Sequence, residues 1–432
     1  MRILLWHGYL LAGTGSNVYT RLLAREWSRA GHEVVVLSQE AEPAQYDLGG
    51  ARTLRPDVGG LLPVFVLDRY QGYVVKRLPD CSRDELERWV TANADAVRAE
   101  LPADLVFVNH ILLGGAVGVA CGAPFAIKAH GSELEYAMRG NPELSGWGSD
   151  VLAQAGATFA GSEHIRDVIA DVCGHTERVH VVPPGVDVEE WWPEAPEIAF
   201  AALLEECRRD APNPGNAEER LPDDANAERF AAFLAGERLT VVYFGKLIPQ
   251  KGVDVLLRAL EGLDARVVVV GFGPERGALT ALAAEYGVDA LFTGPLEHRH
   301  LRHLLALADV CVVPSVFPEA FGMVAAEAAA AGCPPLVARH SGLAEIAAGV
   351  EEAYPPLAGL TAGFATGDAA DLRRALEVIL GLPAVDRAAV RAAARRAVVE
   401  RWSWAGVAER LLRTWHERGQ SPGGTVPRGD CP

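Results

Sequence analysis

Short continuous runs of apolar residues alternate with amphipathic stretches along most of the chain. The clearest runs, rich in Val, Leu and Ile, cover residues 3–6, 34–37, 105–108, 239–244, 266–270 and 310–313. Continuous apolar runs joined by helical patterns are typical of parallel strands that are buried on both faces. The pattern therefore predicts an α/β protein built on parallel sheets.

The alternation stops between residues 189 and 237 and then starts again. From Glu194 to Glu237 there are eleven acidic residues and four basic ones, which favours a solvated acidic linker or surface insertion. We therefore predict two doubly wound domains, over 1–188 and 238–400, on either side of this segment. A helix over 401–418 and a disordered tail over 419–432 end the chain.

The composition of the chain limits which classes of partner the protein can bind and in which compartment it is expected. The net charge of −17 argues against a nucleic-acid-binding surface, because phosphate contacts need clustered Lys and Arg. The seven cysteines are scattered, which favours reduced thiols and a cytoplasmic protein. No apolar run is long enough to span a membrane, so stable membrane insertion is not expected. The oligomeric state is left open, with a homodimer among the options.

Two glycine-rich turns follow predicted strands. The first, 11-LAGTGSNVYTRLLAREW-27, contains Gly13 and Gly15 but has Val18 where a dinucleotide-binding fingerprint needs its third glycine. The second, 267-VVVVGFGPERG-277, is interrupted by Pro274 and Arg276. Both turns could bring main-chain N–H groups close to phosphate, or could simply be tight turns. A dehydrogenase would need a complete fingerprint.

Two lysines follow the strand that ends in 242-VYFGKLIPQKG-252. Lys246 and Lys251 would lie at the carboxyl edge of a parallel sheet, where α/β proteins bind ligands. There they could neutralise a diphosphate as point charges. An exposed lysine pair without a ligand is the alternative.

The stretch 314-PSVFPEAFGMVAAEAAAAGCP-334 places two acids beside an apolar helix. Glu319 lies just before a helix predicted to begin near Phe321, and Glu327 lies further along it. The first N–H groups of a helix have no partner within it, so the amides of Phe321, Gly322, Met323 and Val324 could meet a ligand. A buried glutamate among alanines needs hydroxyls or a cation. The alternative is a capping acid followed by an acid paired with arginine.

Two histidines stand at strand ends. His130 follows the run in 125-FAIKAHGSELEY-136, and His110 follows the run in 106-VFVNHILLG-114. A histidine at such a position can touch a ligand or can be a structural residue of the core. Each histidine alone leaves both options open.

Together these features resemble the retaining nucleotide-sugar glycosyltransferases of family GT4, which have the GT-B fold. The strongest element is the pair of glutamates at E-x7-E spacing, Glu319 and Glu327. The run from Gly245 to Gly252 resembles the family's G-[RK]-L-x-x-x-K-G element. The resemblance implies two Rossmann-like domains that face each other across a cleft, with the acceptor on the first domain and the donor on the second. It also implies that the helix over 401–418 crosses back to the first domain.

The resemblance also implies roles for individual residues. Gly15, Ser16, Lys246 and Lys251 would bind the donor diphosphate. Glu327 would bind the nucleotide ribose, and Phe321, Gly322, Met323 and Val324 would contribute amides to the sugar and phosphates. His130 and Glu319 would act at the donor sugar as the catalytic pair. The stretch His340-Ser341-Gly342 stands where many members have a glycine pair.

The implied reaction moves a sugar from a UDP- or GDP-sugar to a small soluble acceptor, with retention and without a metal or other cofactor. Asp68, Tyr70 and His110 are the candidate acceptor contacts. Two alternatives remain open: another GT-B enzyme acting on nucleotide sugars, such as an epimerase, and a non-catalytic nucleotide-sugar binding protein. A binding protein would not need to keep both Glu319 and His130.

Overall fold

A computed structural model describes residues 1–65, 70, 72–174, 177–213 and 221–417. The chain divides into two units. The first unit contains Met1–Gly185 and the chain from Trp404 onward, and the second unit contains Val186–Ser403. The division after Gly185 lies close to the predicted boundary at residue 188.

The elements of the first unit begin with a strand and alternate thereafter. The strands are β1 (Arg2–Trp6), β2 (Glu33–Leu37), β3 (Arg52–Leu54), β4 (Leu61–Val64), β5 (Val74–Arg77), β6 (Leu105–Asn109), β7 (Phe125–Lys128), β8 (Ala157–Ala160) and β9 (Val179–Val181). The helices are α1 (Gly15–Arg29), α2 (Arg83–Ala99), α3 (Leu113–Cys121), α4 (Gly131–Glu133), α5 (Pro142–Gln154) and α6 (Glu163–Cys173). A π-helical turn, Leu134–Met138, follows α4.

A parallel sheet runs through the first unit in the order β3-β2-β1-β6-β7-β8-β9. Successive residues of β1 enter different cores: Leu4 and Trp6 pack on one face, and Ile3 and Leu5 on the other. Burial on both faces explains why the strand is a continuous apolar run. β4 and β5 pair with each other in a separate small sheet.

The second unit repeats this arrangement. Its strands are β10 (Thr240–Phe244), β11 (Arg266–Val270), β12 (Asp289–Phe292), β13 (Val310–Val313), β14 (Pro335–Ala338) and β15 (Gly363–Phe364). Its helices are α7 (Pro196–Arg208), α8 (Asn226–Phe233), α9 (Val253–Ala259), α10 (Arg276–Glu285), α11 (His298–Leu307), α12 (Met323–Ala330), α13 (Ser341–Glu351), α14 (Ala369–Leu380) and α15 (Ala384–Trp402). The parallel sheet has the order β12-β11-β10-β13-β14-β15, so both predicted doubly wound sheets are present.

The acidic segment 189–237 differs from the predicted solvated linker. Its helices α7 and α8 bury Leu203, Cys207 and Phe230 in the core of the second unit. The high acidic content conceals this role because acids outnumber the apolar residues, which recur at helical spacing among them. The described parts of the segment, 189–213 and 221–237, are therefore packed parts of the second unit.

The last described helix, α16 (Trp404–Glu417), belongs to the first unit. Trp404, Leu411 and Trp415 are buried in the same core as α1. The indole nitrogen of Trp27, in α1, donates to the carbonyl of Ala408 at 3.1 Å. The tail predicted over 419–432 lies outside the described residues.

Arg395 joins three segments of the second unit. Its guanidinium, which is partly buried in α15, donates to the carbonyls of Trp191, Ala330 and Val188, the last at 3.0 Å. Ala330 is the final residue of α12. Arg395 thus holds the end of the helix that carries Glu327.

Replacing Arg395 by methionine should keep most of the packing but leave these carbonyls without a donor. We expect the free energy of unfolding to fall by about 2–3 kcal/mol, seen as a lower thermal midpoint. Arg396→Met is the control, because Arg396 is more exposed and donates to one carbonyl, that of Ala353. Equal losses in the two variants would contradict the anchoring role of Arg395.

Candidate functional site

The second sheet contains a point where neighbouring strands lead the chain in opposite directions. β10 and β13 pair in parallel, but β10 continues toward β11 on one side and β13 toward β14 on the other. Doubly wound sheets bind ligands at the carboxyl ends of such strands. Lys246 and Lys251 lie in the segment after β10, and Glu319 lies in the loop after β13. The structure therefore places these predicted residues at the switch point.

Lys251 and Glu319 form an ion pair. Lys251 Nζ contacts Glu319 Oε1, and Ser315 Oγ donates to the same oxygen at 2.7 Å. Both charged side chains are partly buried, so solvent screens this pair less than a fully exposed one. The sequence predicted contacts of Lys251 and Glu319 with different parts of one ligand. A ligand that used both side chains in that way would have to open their pair.

Lys246 lies nearby and is exposed. Its carbonyl accepts a hydrogen bond from Tyr243 Oη at 2.8 Å, which fixes the backbone. The Lys246 ammonium has no ion-pair partner within the described part of the chain. It can therefore supply a point charge to an anionic group at this edge of the sheet.

Close backbone contacts hold the loops at the switch point. Gly252 has φ +61°, and a Cβ there would lie 2.1 Å from the carbonyl oxygen of Pro314. Gly271 has φ +142°, and a Cβ there would lie 1.8 Å from the carbonyl oxygen of Gly245. Only glycine fits such contacts. These two glycines therefore have a structural role that needs no ligand.

Helix α12 begins at Met323, two residues later than predicted. Gly322 precedes the helix and has φ +106°. A residue in this left-handed conformation cannot belong to a right-handed helix, so the helix starts only after it. Phe321 is buried and packs edge-to-face on Trp402 at 5.9 Å between ring centroids, so its side chain belongs to the core. Met323 and Val324 occupy the first turn, where main-chain N–H groups have no partner within the helix.

Glu327 lies in the second turn of α12 and is half-buried. Its carboxylate has no hydrogen bond or ion pair with any residue that the structure describes. Desolvation raises the pKa of Glu327 to about 7, while nearby His298 lowers it and Glu190 raises it further. A desolvated acid without a partner is costly. This carboxyl group can therefore bind hydroxyls of a ligand.

In the first unit, a hydrogen-bond network fixes the ring of His130. Asn109 Nδ2 donates to the carbonyl of Trp6 and to Thr20 Oγ1, each at 3.2 Å. The Asn109 Oδ1 atom is then the acceptor for His130 Nε2, at 2.9 Å, which assigns the ring proton to Nε2. Burial lowers the pKa of His130 well below its ordinary value. The ring of His130 is therefore neutral, with its Nε2 proton directed to Asn109.

Glu133 is a buried residue of this region that the sequence analysis missed. Its carboxyl oxygens accept main-chain hydrogen bonds from Ile111 at 2.7 and 2.8 Å, from Leu112 at 3.2 Å and from His130 at 3.3 Å. Burial raises the pKa of Glu133 to about 7. The signal was its position three residues after His130, where an acidic side chain can bond back to the start of a helix. Glu133 ties the loop after β6 to the loop after β7.

His110 occupies a strained position directly after β6. It has φ +74°, and its buried ring nitrogens have no hydrogen-bond partner among the described residues. Its ring centroid lies 5.5 Å from that of Tyr9, 4.9 Å from Phe65 and 4.6 Å from His130. Burial lowers the pKa of His110 well below its ordinary value. Nδ1 lies 3.8 Å from Glu133 Oε1. Backbone strain often marks functional sites, and the acceptor role of His110 stays a prediction.

Gly15, which is exposed, and Ser16, which is partly buried, form the start of α1. Thr14 Oγ1 and Ser16 Oγ lie 3.3 Å apart, and the buried side chain of His7 hydrogen-bonds to Asn17 at 2.7 Å. This bond connects the helix start to the end of β1. The turn therefore presents N–H groups at the carboxyl edge of the first sheet, as a phosphate site requires.

Tyr70 and Asp68 are the other two candidate acceptor contacts. Tyr70 is partly buried against the core of the first unit. Asp68 lies outside the described residues. Both roles stay predictions.

One group of side chains has the composition of a metal site, although the sequence predicts no metal. Cys207, Asp210 and His300 bring potential ligand atoms within 4.8 Å of one another. Asp210 Oδ1 already accepts from Arg299 at 2.6 Å and from His300 at 3.0 Å. The Arg299 cation thus neutralises this carboxylate, and we infer no metal role.

Two family descriptions match the two parts of the chain. Glycosyltransferase Family 4 matches residues 13–190, and Glycosyl transferases group 1 matches residues 224–395. The D-inositol 3-phosphate glycosyltransferase of Xylanimonas cellulosilytica is 30% identical over 354 residues, which cover 76% of each chain.

Solved structures share the fold. Sucrose-phosphate synthase from Thermosynechococcus elongatus is similar with a TM-score of 0.62 at 20% identity, covering 97% of this chain and 99% of that one. Anabaena HepE, solved in complex with UDP-glucose, is similar with a TM-score of 0.66 at 15% identity, covering 96% and 99%. These structures identify the GT-B fold. Among the helices described here, none is long and apolar enough to cross a membrane.

The raised pKa of Glu327 predicts a pH-dependent contribution to stability. Its pKa moves from 4.5 to about 7 on folding, so the folded chain keeps a proton that the unfolded chain releases. The contribution is complete below about pH 4.5 and is lost as the pH rises through about 7.

Glu327→Gln removes this ionisation. At pH 8 the variant should exceed the wild type in free energy of unfolding by about 1–3 kcal/mol, after allowance for partial exposure. At pH 4.5 the two should differ little. Urea unfolding at both pH values measures this, with the exposed Glu285→Gln as control. A gain from Glu327→Gln that is the same at both pH values would contradict it.

Proposed function

Because this chain belongs to glycosyltransferase family 4, we propose that it transfers a sugar from a nucleotide-diphosphate sugar to a small soluble acceptor. The chain is a glycosyltransferase with the GT-B fold. The proposal concerns the donor, the acceptor, the stereochemistry and the residues that perform the transfer.

The observation that carries the proposal is the meeting of Lys251 and Glu319 at the switch point, with Glu327 unpaired nearby on α12. A diphosphate offers negative charge to Lys251 and Lys246. Once Lys251 has turned to the phosphates, the Glu319 carboxylate is available to hydroxyls of the donor sugar. Glu327 then binds the ribose hydroxyls, and the donor is a UDP- or GDP-sugar.

The reaction needs stabilisation of a departing diphosphate. As the bond to the sugar breaks, negative charge grows on the leaving phosphate, and positive charge grows on the sugar ring. In this proposal Lys246, Lys251 and the N–H groups of Met323 and Val324 stabilise the phosphate charge. These groups can replace a divalent cation, so we propose metal-independent transfer with retention of anomeric configuration.

The acceptor is proposed to bind in the first unit, where Tyr70, His110 and Asp68 are the candidate contacts. The relative from Xylanimonas cellulosilytica is named for inositol 3-phosphate, so this phosphorylated polyol is the first acceptor to test. The cysteines that the structure describes are all free thiols, which supports a cytoplasmic location as part of the proposal.

A thermal-shift panel of UDP-, GDP-, ADP- and TDP-sugars tests the donor site. A ligand at a hundred times its Kd stabilises the folded protein by about 2.7 kcal/mol, so the correct nucleotide should raise the melting temperature by several degrees. Glu327→Gln should lose most of this shift. Glu319→Gln should keep much of it and lose turnover.

Glu285→Gln, on the surface of α10, is the matched control and should respond like the wild type. Absence of a shift with every nucleotide sugar would contradict the proposed function. Normal turnover in both Glu319→Gln and Glu327→Gln would instead contradict the assignment of the site.

Metal independence and retention predict a second set of results. Turnover should survive dialysis against EDTA with less than about a twofold change, because the Lys246 and Lys251 charges do not depend on a metal ion. The anomeric configuration of the first product, determined by NMR, should match that of the donor. Loss of turnover that added Mg²⁺ or Mn²⁺ restores would refute metal independence, and the opposite anomer would refute retention.

A further inference from the structure

Ser341 begins helix α13 in a conformation that serine rarely adopts. Its φ is +45°, in the left-handed region that glycine enters without strain and other residues enter at a cost. The family resemblance places His340-Ser341-Gly342 where many members have a glycine pair. A serine at this backbone position therefore needs a compensating interaction.

The Ser341 hydroxyl provides one. Its Oγ accepts a hydrogen bond from the main-chain N–H of Glu319 at 2.8 Å and lies 2.9 Å from His340 Nδ1. His340 Nε2 lies 2.7 Å from the carbonyl of Ser315, which can only accept. The ring proton is thus on Nε2, and Nδ1 accepts the proton of Ser341 Oγ.

These bonds form a directed chain from Glu319 through Ser341 and His340 back to Ser315. Ser315 and Glu319 belong to the same loop, and Ser315 Oγ also donates to the carboxylate of Glu319 at 2.7 Å. The residues at the start of α13 therefore bind both ends of the loop segment from Ser315 to Glu319.

Gly342, the residue after Ser341, also binds the main chain of Glu319. Gly342 donates its main-chain N–H to the carbonyl of Glu319 at 3.0 Å. A Cβ on Gly342 would lie 2.5 Å from the Cα of Phe321, so only glycine allows this approach. The N–H and the C=O of Glu319 are each bound by one of two successive residues of α13.

We propose that Ser341 is a positioning residue for Glu319: its hydroxyl, at a strained backbone position, fixes the loop so that the carboxylate meets the donor sugar in one orientation. The inference rests on the proposed role of Glu319. Ser341 acts only through that residue and does not touch the substrate.

Two substitutions separate this role from a merely structural one. Ser341→Gly removes the hydroxyl and relieves the backbone strain, whereas Ser341→Ala removes the hydroxyl and keeps the strain. The thermal midpoint of the alanine variant should lie about 2–4 °C below that of the glycine variant. Both should lose kcat to the same extent, about tenfold, which corresponds to one hydrogen bond.

The assay uses the full chain with UDP-glucose and GDP-mannose as donors and inositol 3-phosphate as the first acceptor, and follows release of UDP or GDP. The Kd for UDP or GDP alone should stay within about twofold of the wild type, because Ser341 serves the sugar end of the site. Ala225→Gly is the control. Ala225 has φ +57° in the same unit and is exposed, so relief of its strain should leave kcat unchanged.

The outcomes are distinguishable. Wild-type kcat in Ser341→Gly alongside an inactive Glu319→Gln would overturn the positioning role and leave the proposed function intact. A kcat that falls only in the less stable alanine variant would also overturn it. If Ser341→Ala does not fold, Ser341→Gly decides alone. Wild-type turnover in Glu319→Gln would overturn the role of Glu319 and this inference with it.

Discussion

The ion pair between Lys251 and Glu319 depends on the strand order of the second sheet. β10 and β13 are neighbours in space but lie far apart along the chain, and they lead away in opposite directions. A cation that follows one strand and an acid that precedes the helix after the other can meet only at this point. Backbone contacts that admit only glycine, such as Gly252 against Pro314, fix the two loops. The pair is thus a consequence of topology, and a ligand that separates it gains a cation and an acid at once.

The carboxyl edge of the first sheet has different chemistry from that of the second sheet. Its strand-end residues His110 and His130 are neutral, because burial lowers the pKa of both rings. Asn109 accepts a hydrogen bond from the ring of His130 and so sets its tautomer, and the buried Glu133 accepts hydrogen bonds from the surrounding main chain. These neutral groups can form hydrogen bonds with hydroxyls, whereas the site of the second unit contains the charged Lys251 and Glu319. The proposed transfer, in which a charged diphosphate leaves a neutral sugar, needs both kinds of group.

The sequence predicts the two parallel sheets because strands buried on both faces are continuous apolar runs, as in β1 and β11. It also predicts Lys251, Glu319 and Glu327 as candidate donor-site residues, because the motifs that contain them resemble those of a known family. The sequence does not predict features that depend on tertiary packing or on local backbone conformation. Apolar residues such as Leu203 and Phe230 are outnumbered by acids in 189–237, so their burial is hidden. Gly322 delays the start of α12 through its positive φ, and Ser341 reaches Glu319 through a contact between distant segments.

Calorimetric titration of wild-type protein and Glu319→Gln with UDP and with UDP-glucose, or with GDP and GDP-mannose if those are the ligands bound, tests the central claim most directly. Removing the Glu319 charge releases Lys251 from its pair, so the nucleoside diphosphate should bind at least as tightly as it does to the wild type. The nucleotide sugar loses its contact with the acid and should bind about tenfold more weakly. Opposite responses to the two ligands are the predicted result. A change of the same sign and size for both would contradict a site in which Glu319 faces the sugar and Lys251 the diphosphate.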